Sequence, residues 1–412
     1  METREANQFD VIIVGAGPGG SSAALYLAKK GRNVLLLDKA VFPRDKVCGD
    51  AMGTRAVAVL RELGIAQEME NIKHEKVYGV VFSSPKRKLV QIPFPGTDPK
   101  TGKGGYVVRR ELFDDFLFQN AKKKAVTREN FLVTDLVWKN DFVVGIKGKN
   151  LETDQEEEFH AKVVIGADGA NSIVATKLGL NKTLPKHECI ALRVYYENIS
   201  GCSNNIEIHF VDSLLPGYFW IFPLENNTAN VGVGMITHEI RKHKVTLEKA
   251  MFQVIQNDPL FKERFKNAKV ISDVKGWRLP LGSYHRKAHG NGWILVGDAA
   301  ALIDPFSGEG VGNAMVSARV AGTVLEQAFK TNDFSESFLK QYEDGIWKEL
   351  GSELKTSYQL QRMGRITPLL NLVIGKASKS KEIRETISGM IANENAKHSL
   401  INPLFYLKLL FA

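Results

Sequence analysis

At 412 residues, with 44% hydrophobic and 25% charged side chains, the chain has an ordinary globular composition and length for two or three domains. Its net charge of +9 comes without a dense basic block interleaved with aromatics, which argues against nucleic acid and leaves an anionic partner or a plain solvated surface. Cys48, Cys189 and Cys202 are too scattered for a disulfide framework or a metal site, no apolar run nears the ~20 residues of a membrane span, and METREANQFD lacks a signal peptide's apolar core, so a reduced, cytoplasmic protein is expected.

In chain order, Val11-Ile12-Ile13-Val14 is too short for a helix and rich in β-branched residues, so it predicts a strand buried on both faces. Gly15-Ala16-Gly17-Pro18-Gly19-Gly20 follows, then a small-residue helix from Ser21 to about Lys30 and a second apolar run, Val34–Leu37, ending on Asp38. This is a βαβ unit suited to a dinucleotide. Gly15 permits the tight turn, Gly17 lets backbone approach a pyrophosphate, and Gly20 lets the helix press on the strand. The helix start supplies free N–H groups and a positive dipole end. Asp38, 18 residues beyond Gly20, is placed to accept from an adenosine ribose.

A charged loop, Lys39 to Ala51, carries Cys48, with Lys46 and Asp50 each two residues away. A helix from about Thr54 to Leu63 stops at Gly64. Residues 76–106 alternate strand-like runs with turns, and an amphipathic helix begins at Arg109-Arg110 with Phe113, Phe116, Leu117 and Ala121 on one face. Short strands lead to Val163-Val164-Ile165-Gly166-Ala167-Asp168-Gly169. Here Asp168 either caps the next turn or shapes a cofactor face. Four β-type runs between 190 and 236 predict an antiparallel layer, with helix at 246–266. An apolar strand then ends on Gly297-Asp298, a helix starts near Gly310, and the chain from about Asp333 is mostly helical.

Gly15 to Gly20, Asp168-Gly169, and Gly297-Asp298 with Pro305 and Gly308-Glu309-Gly310 together resemble the FAD fingerprints of the aromatic-hydroxylase-type flavoprotein superfamily, over residues 9–325. Cys48-Gly49-Asp50-Ala51 and the YxWxFP pattern of Tyr218, Trp220, Phe222 and Pro223 resemble the geranylgeranyl reductase family within it. The resemblance implies an α/β fold with a Rossmann-like FAD-binding domain (1–75, 105–182 and 276–330), an inserted antiparallel β-sheet substrate domain (76–104 and 183–275), and a helical C-terminal region (331–412). It implies that Gly15, Gly17, Pro18, Gly19, Gly20, Asp38, Cys48, Gly49, Ala51, Arg110, Asp298, Gly310 and Val311 bind FAD. Within that set, Asp298 serves the ribityl chain or its phosphate, and Gly310 and Val311 serve the pyrimidine edge. Arg110 approaches the cofactor, with Arg109 its neighbour. Tyr218, Trp220, Phe222 and Pro223 become the substrate wall; on spacing alone the alternating aromatics could equally be plain core.

Family members saturate isoprenoid double bonds on lipid-like or prenyl substrates. Such a bond has no electron-withdrawing group, so hydride transfer from reduced flavin must be coupled to proton delivery, for which Cys48 is the expected catalytic residue. Buried without a role, Cys48 would instead be a small hydrophobe. No second GxGxxG sits between strand and helix, so NAD(P)H docks transiently or reduced ferredoxin supplies electrons. The competing activity is an FAD monooxygenase acting on an aromatic or polyketide. Ala301, where many hydroxylases of the superfamily carry His, favours the reductase. The apolar runs Leu369–Ile374 and Pro403–Phe411 offer a peripheral membrane contact or pack on the body of the protein.

Overall fold

The computed structural model describes residues 7–182 and 184–392, the side chains of the last three excepted. The strand Gln8–Val14 is buried because it has parallel neighbours on both sides: Val11 pairs with Val163 of Glu156–Gly166 and with Val34 of Val34–Leu37. This eight-stranded sheet continues to Trp293–Leu295 on one side and Val126–Arg128 on the other, while the hairpin Phe131–Lys139 and Phe142–Asn150 joins it antiparallel. The helices Pro18–Lys29 and Val311–Thr331 meet through small residues. A Cβ on Gly19 would lie 3.5 Å from that of Ala314, and one on Gly322 would lie 2.9 Å from that of Tyr26. Both helices begin at the cavity described below.

A second eight-stranded sheet holds Glu188–Glu197, Thr228–Ile236, Tyr218–Leu224 and Ile206–His209 side by side, extended by Gly79–Ser83 and Leu89–Pro93. One face is packed: Val194, Phe219, Ile221, Val231 and Val233 form a core with Met251 and Val254 of the helix Leu247–Asn257. The other face looks into the cavity. Strand alternation assigns residues to the two faces. The expected antiparallel layer is correct except at one pair, where Ile206–His209 runs parallel to Gly79–Ser83. Parallel neighbours need a long crossover, and here the chain passes through the nucleotide-binding sheet between them. The helix expected at 246–266 stops at Asn257 because Asp258, extended at ψ 128°, precedes Pro259. A three-stranded sheet of Ala51–Met52, Gly105–Val107 and Glu75–Val77 sits astride the expected boundaries near 75 and 104.

The C-terminal helices build no core of their own. Leu339, Tyr342, Ile346, Leu350 and Leu354 of Glu336–Met363 join the core of the first sheet, and the Tyr342 hydroxyl donates to the Leu295 carbonyl at 2.6 Å. Ile374 and Ala377 of Thr367–Ala377, with Ile383 and Ile387 beyond, cover Val80, Val90 and Ile92 of the second sheet. Pro403–Phe411 lies outside the described residues. Among those described, no helix is long and apolar enough to cross a membrane.

Two glycine substitutions should act in opposite directions. An added Cβ at Gly20 overlaps the Gly15 carbonyl oxygen, whereas one at Gly375, inside a helix, meets nothing within 4 Å. Gly20→Ala should therefore lower unfolding stability by about 1–3 kcal/mol through overpacking. Gly375→Ala should raise it by about 0.5–1 kcal/mol. Urea titration checks both, and equal effects would contradict this account of the helix–strand contact.

Candidate active site

A single cavity of about 1520 Å³ runs from the glycine turn to the inner face of the second sheet. Sites for one small ligand usually measure about 300–1,000 Å³, so this volume suits a large cofactor together with an elongated partner. At one end, Gly15 takes φ +97°, and Gly17 is the N-cap of a helix whose first residue is Pro18. A Cβ at Gly17 would fill the cradle and meet only Arg44, at 3.6 Å. Asp38 accepts from the N–H groups of Ala16 (2.7 Å) and Ala40 (2.9 Å), tying the second strand to the turn. Each of its oxygens keeps a lone pair for a ribose hydroxyl. At the far end of the cradle Gly310 caps the helix Val311–Thr331, whose first N–H groups have no intrahelical partner. Asp298 lies beside it: a Cβ on Gly310 would come 3.3 Å from Oδ1. The residues present fit FAD.

The loop between these ends is charged and held by buried ion pairs. Asp114, 0% exposed, accepts from Arg110 at 2.6 and 2.8 Å and from Arg44 at 2.8 Å. Burial works to raise its pKa, but the two guanidiniums outweigh it and hold the carboxyl below its usual range. Arg110 is thereby locked beside Cys48. Burial pushes the Cys48 thiol up against the pull of Arg110, so the sulfur keeps its proton at neutral pH. Lys46 lies with Nζ 4.0 Å from the centre of the Trp277 ring and donates to the Val47 carbonyl at 3.3 Å. Burial, aided by Arg110, pulls its ammonium down to about 8.

The facing wall is the second sheet. Tyr218, Trp220 and Phe222 point into the cavity, and Trp220 can lie flat there because Gly232 occupies the neighbouring strand. A Cβ on Gly232 would overlap the Trp220 ring and the Leu192 carbonyl oxygen. Gly49 closes the wall against the loop, where a Cβ would come 3.0 Å from the Phe222 ring. The Tyr218 hydroxyl donates to the Ser307 carbonyl at 2.6 Å, and Asp304 accepts from the N–H groups of Phe306 (3.0 Å) and Ser307 (2.8 Å), which shapes the turn leading to Gly310.

The cavity brings together the expected Gly15, Gly17, Pro18, Gly19, Asp38, Cys48, Gly49, Ala51, Arg110, Asp298, Gly310 and Val311 with Tyr218, Trp220 and Phe222. Gly20 acts one layer behind, in the helix–strand contact. Pro223 is a correction: one residue beyond Phe222, it falls on the strand's other face and does not line the cavity. Arg109 turns away, pairing with Glu225 and covering the Tyr195 ring at 4.3 Å. Asp168 accepts from Ser172 Oγ (2.5 Å) and Ile173 N (2.6 Å), so it caps the helix Ile173–Lys177 while its loop edges the cavity.

Sequence reasoning missed Asn230, Gly232 under Trp220, and Arg286. Arg286 is 4% exposed and holds the Gly297–Ala300 turn by donating to the Ala299 carbonyl at 2.9 Å. The strand pattern Asn-Val-Gly-Val-Gly at 230–234 was the available signal: small and polar residues at period two inside an apolar strand.

Residues 8–345 match the family model described as FAD binding domain. Digeranylgeranylglycerophospholipid reductase of Methanosarcina acetivorans is 32% identical over 347 residues, covering 83% of this chain and 81% of the relative. Conditioned medium factor receptor 1 of Dictyostelium discoideum is 34% identical over 362 residues, covering 85% and 69% respectively. The crystal structure of a geranylgeranyl bacteriochlorophyll reductase-like protein from Thermoplasma acidophilum superposes with a TM-score of 0.81 at 24% identity, covering 96% of this chain and 98% of that one. With the family model spanning most of the chain and a reductase relative above 30% identity over four-fifths of it, the chain belongs to the geranylgeranyl reductase family of FAD-dependent oxidoreductases.

Proposed function

We propose that this protein reduces carbon–carbon double bonds in isoprenoid chains borne by a lipid. The observation that carries the reading is the continuity of the cavity: a dinucleotide cradle opens directly onto an apolar, aromatic wall with the Cys48 thiol between them. When bound, FAD supplies hydride transfer. Gly15, Gly17 and Pro18 would hold its pyrophosphate, Asp38 its ribose, Asp298 its ribityl chain, and Gly310 and Val311 its pyrimidine edge.

The chain's own residues supply the rest. Ile206, Ile208, Leu279 and Phe94 line an apolar path for the prenyl chain. The Trp220 and Phe222 faces stabilise positive charge developing on the more substituted carbon, each by about 0.5–2 kcal/mol. At 1.36 kcal/mol per decade, the pair supplies roughly one to three decades of rate. Burial keeps a proton on Cys48 Sγ, beside that charge. Alignment and exclusion of water must provide the remainder. Electrons arrive from NAD(P)H docking transiently or from reduced ferredoxin.

The helix Thr367–Ala377 is the favoured membrane contact. Ile366 is 50% exposed just before it, Leu369 and Leu372 are partly exposed, and Arg362, Lys376, Lys379, Lys381 and Arg384 flank it against Glu382 and Glu385, while Arg365 pairs with Glu239. An apolar strip with a basic border suits an anionic lipid surface.

Holoprotein given a geranylgeranyl phospholipid and a chemical reductant should add H2 per double bond by mass spectrometry; an unchanged lipid, or one that gains oxygen in air, opposes the reductase reading. Flavin bleaching by NADPH, NADH or reduced ferredoxin, with no chemical reductant present, identifies the donor. Trp220→Leu should lower turnover by about tenfold or more while leaving lipid affinity within about threefold, since its face acts on developing charge; equal losses in both would make the residue mere packing. Full-length protein should float with anionic but not neutral liposomes, and Ile366→Glu with Leu369→Glu should abolish this; flotation that survives both changes removes the helix from the membrane contact.

A further inference from the structure

We infer that Asn230 is a positioning residue of this site, its carboxamide tying the Trp220 indole on the wall to the Cys48 carbonyl and the Asp50 carboxylate on the facing loop. The inference rests on reading wall and loop as the two sides of one reducing site. Asn230 is 0% exposed. Its Oδ1 accepts from Trp220 Nε1 at 2.9 Å, and its Nδ2 donates to the Cys48 carbonyl and to Asp50 Oδ2, both at 2.7 Å. The partners fix the orientation of the amide. An indole can only donate and a carbonyl can only accept, so the carboxamide cannot be turned over. Both of its N–H donors and one of its oxygen lone pairs are used.

The other end of the tie is equally constrained. Asp50 is 1% exposed at φ +68°, a left-handed conformation that the loop must be held in. Beyond Asn230 it accepts from the Tyr195 hydroxyl at 2.8 Å and from the Arg110 N–H at 3.2 Å. Tyr195 is covered in turn by Arg193, at 4.1 Å from its ring centre, and by Arg109. The charged and titratable groups facing Asp50 are thus Arg193 and Tyr195 from the sheet, Arg110 from its helix, and Cys48 on its own loop. Burial raises the Asp50 carboxyl to about 6, and Asn230 is foremost among the groups opposing that rise. Asp50's charge in turn raises the Cys48 thiol. Removing Asn230 should therefore favour protonation of Asp50, free the Cys48 backbone, and make the thiol more reactive.

The test is peptide-resolved alkylation of the FAD-loaded full chain by iodoacetamide at neutral pH, with Cys202 as internal control because it lies against Arg264, away from the cavity. Asn230→Ala should raise Cys48 labelling relative to Cys202 by about tenfold, because the thiolate is the form that reacts. Unchanged labelling, or an equal rise at Cys202, would mean that Asn230 only packs, and overturns the inference. A second variant covers failure of the first to fold: Asp50→Asn keeps the side chain's shape but removes the charge that raises the thiol, so Cys48 labelling should rise relative to Cys202 there too; unchanged labelling overturns the inference. Because labelling needs no substrate, this result stands apart from the lipid-reduction assay. If reduction fails while labelling behaves as expected, the substrate is wrong and the tie is right.

Discussion

The Trp220 indole lies against bare backbone, and the shape of the cavity depends on that contact. Gly232 leaves room for the ring, Gly49 lets the loop come down on Phe222 beside it, and Asn230 takes up the indole N–H. Glycine in a strand costs conformational entropy and offers no side chain to pack. Here that cost is offset by a large aromatic face presented to the cavity without a bulge in the sheet. The same strand places Val231 and Val233 in the core behind it, so one sequence period serves both the packing and the site.

The charged loop opposite survives burial because each ion has an assigned opponent. Asp114 binds two guanidiniums, Arg110 is pinned next to Cys48, and Asp50 collects hydrogen bonds from three different elements. Breaking a buried pair by removing one partner costs about 3–5 kcal/mol, far more than a surface pair would. Conformational precision is thus concentrated where the cofactor cradle meets the wall. Lys46 is the exception, as its ammonium rests on the Trp277 ring and a single carbonyl.

Much of this was legible in the sequence, for identifiable reasons. The βαβ unit, Asp298 and Gly310 follow from local rules: an apolar run, a glycine turn and a helix start leave a pattern within thirty residues or so. The alternation of Tyr218, Trp220 and Phe222 likewise gave one face of a strand, and the same rule should have placed Pro223 on the other. What stayed hidden depends on strand pairing. That Asn230 meets Cys48, 182 residues away, follows from the register of Phe222 with Asn230 and from the loop's position over it. The parallel pairing of Ile206–His209 with Gly79–Ser83 and the docking of the C-terminal helices are long-range choices of the same kind. Asp168 was undecidable locally because a helix cap and a cavity edge require the same residue at the same place.

The central claim is that one cavity holds a flavin and an isoprenoid chain side by side, and the visible spectrum of the purified full chain tests it most directly. The account predicts one FAD per chain, with absorption bands that shift when a geranylgeranyl phospholipid is titrated in. Protein that is colourless and stays so with added FAD, or holoprotein whose spectrum ignores the lipid, would contradict it.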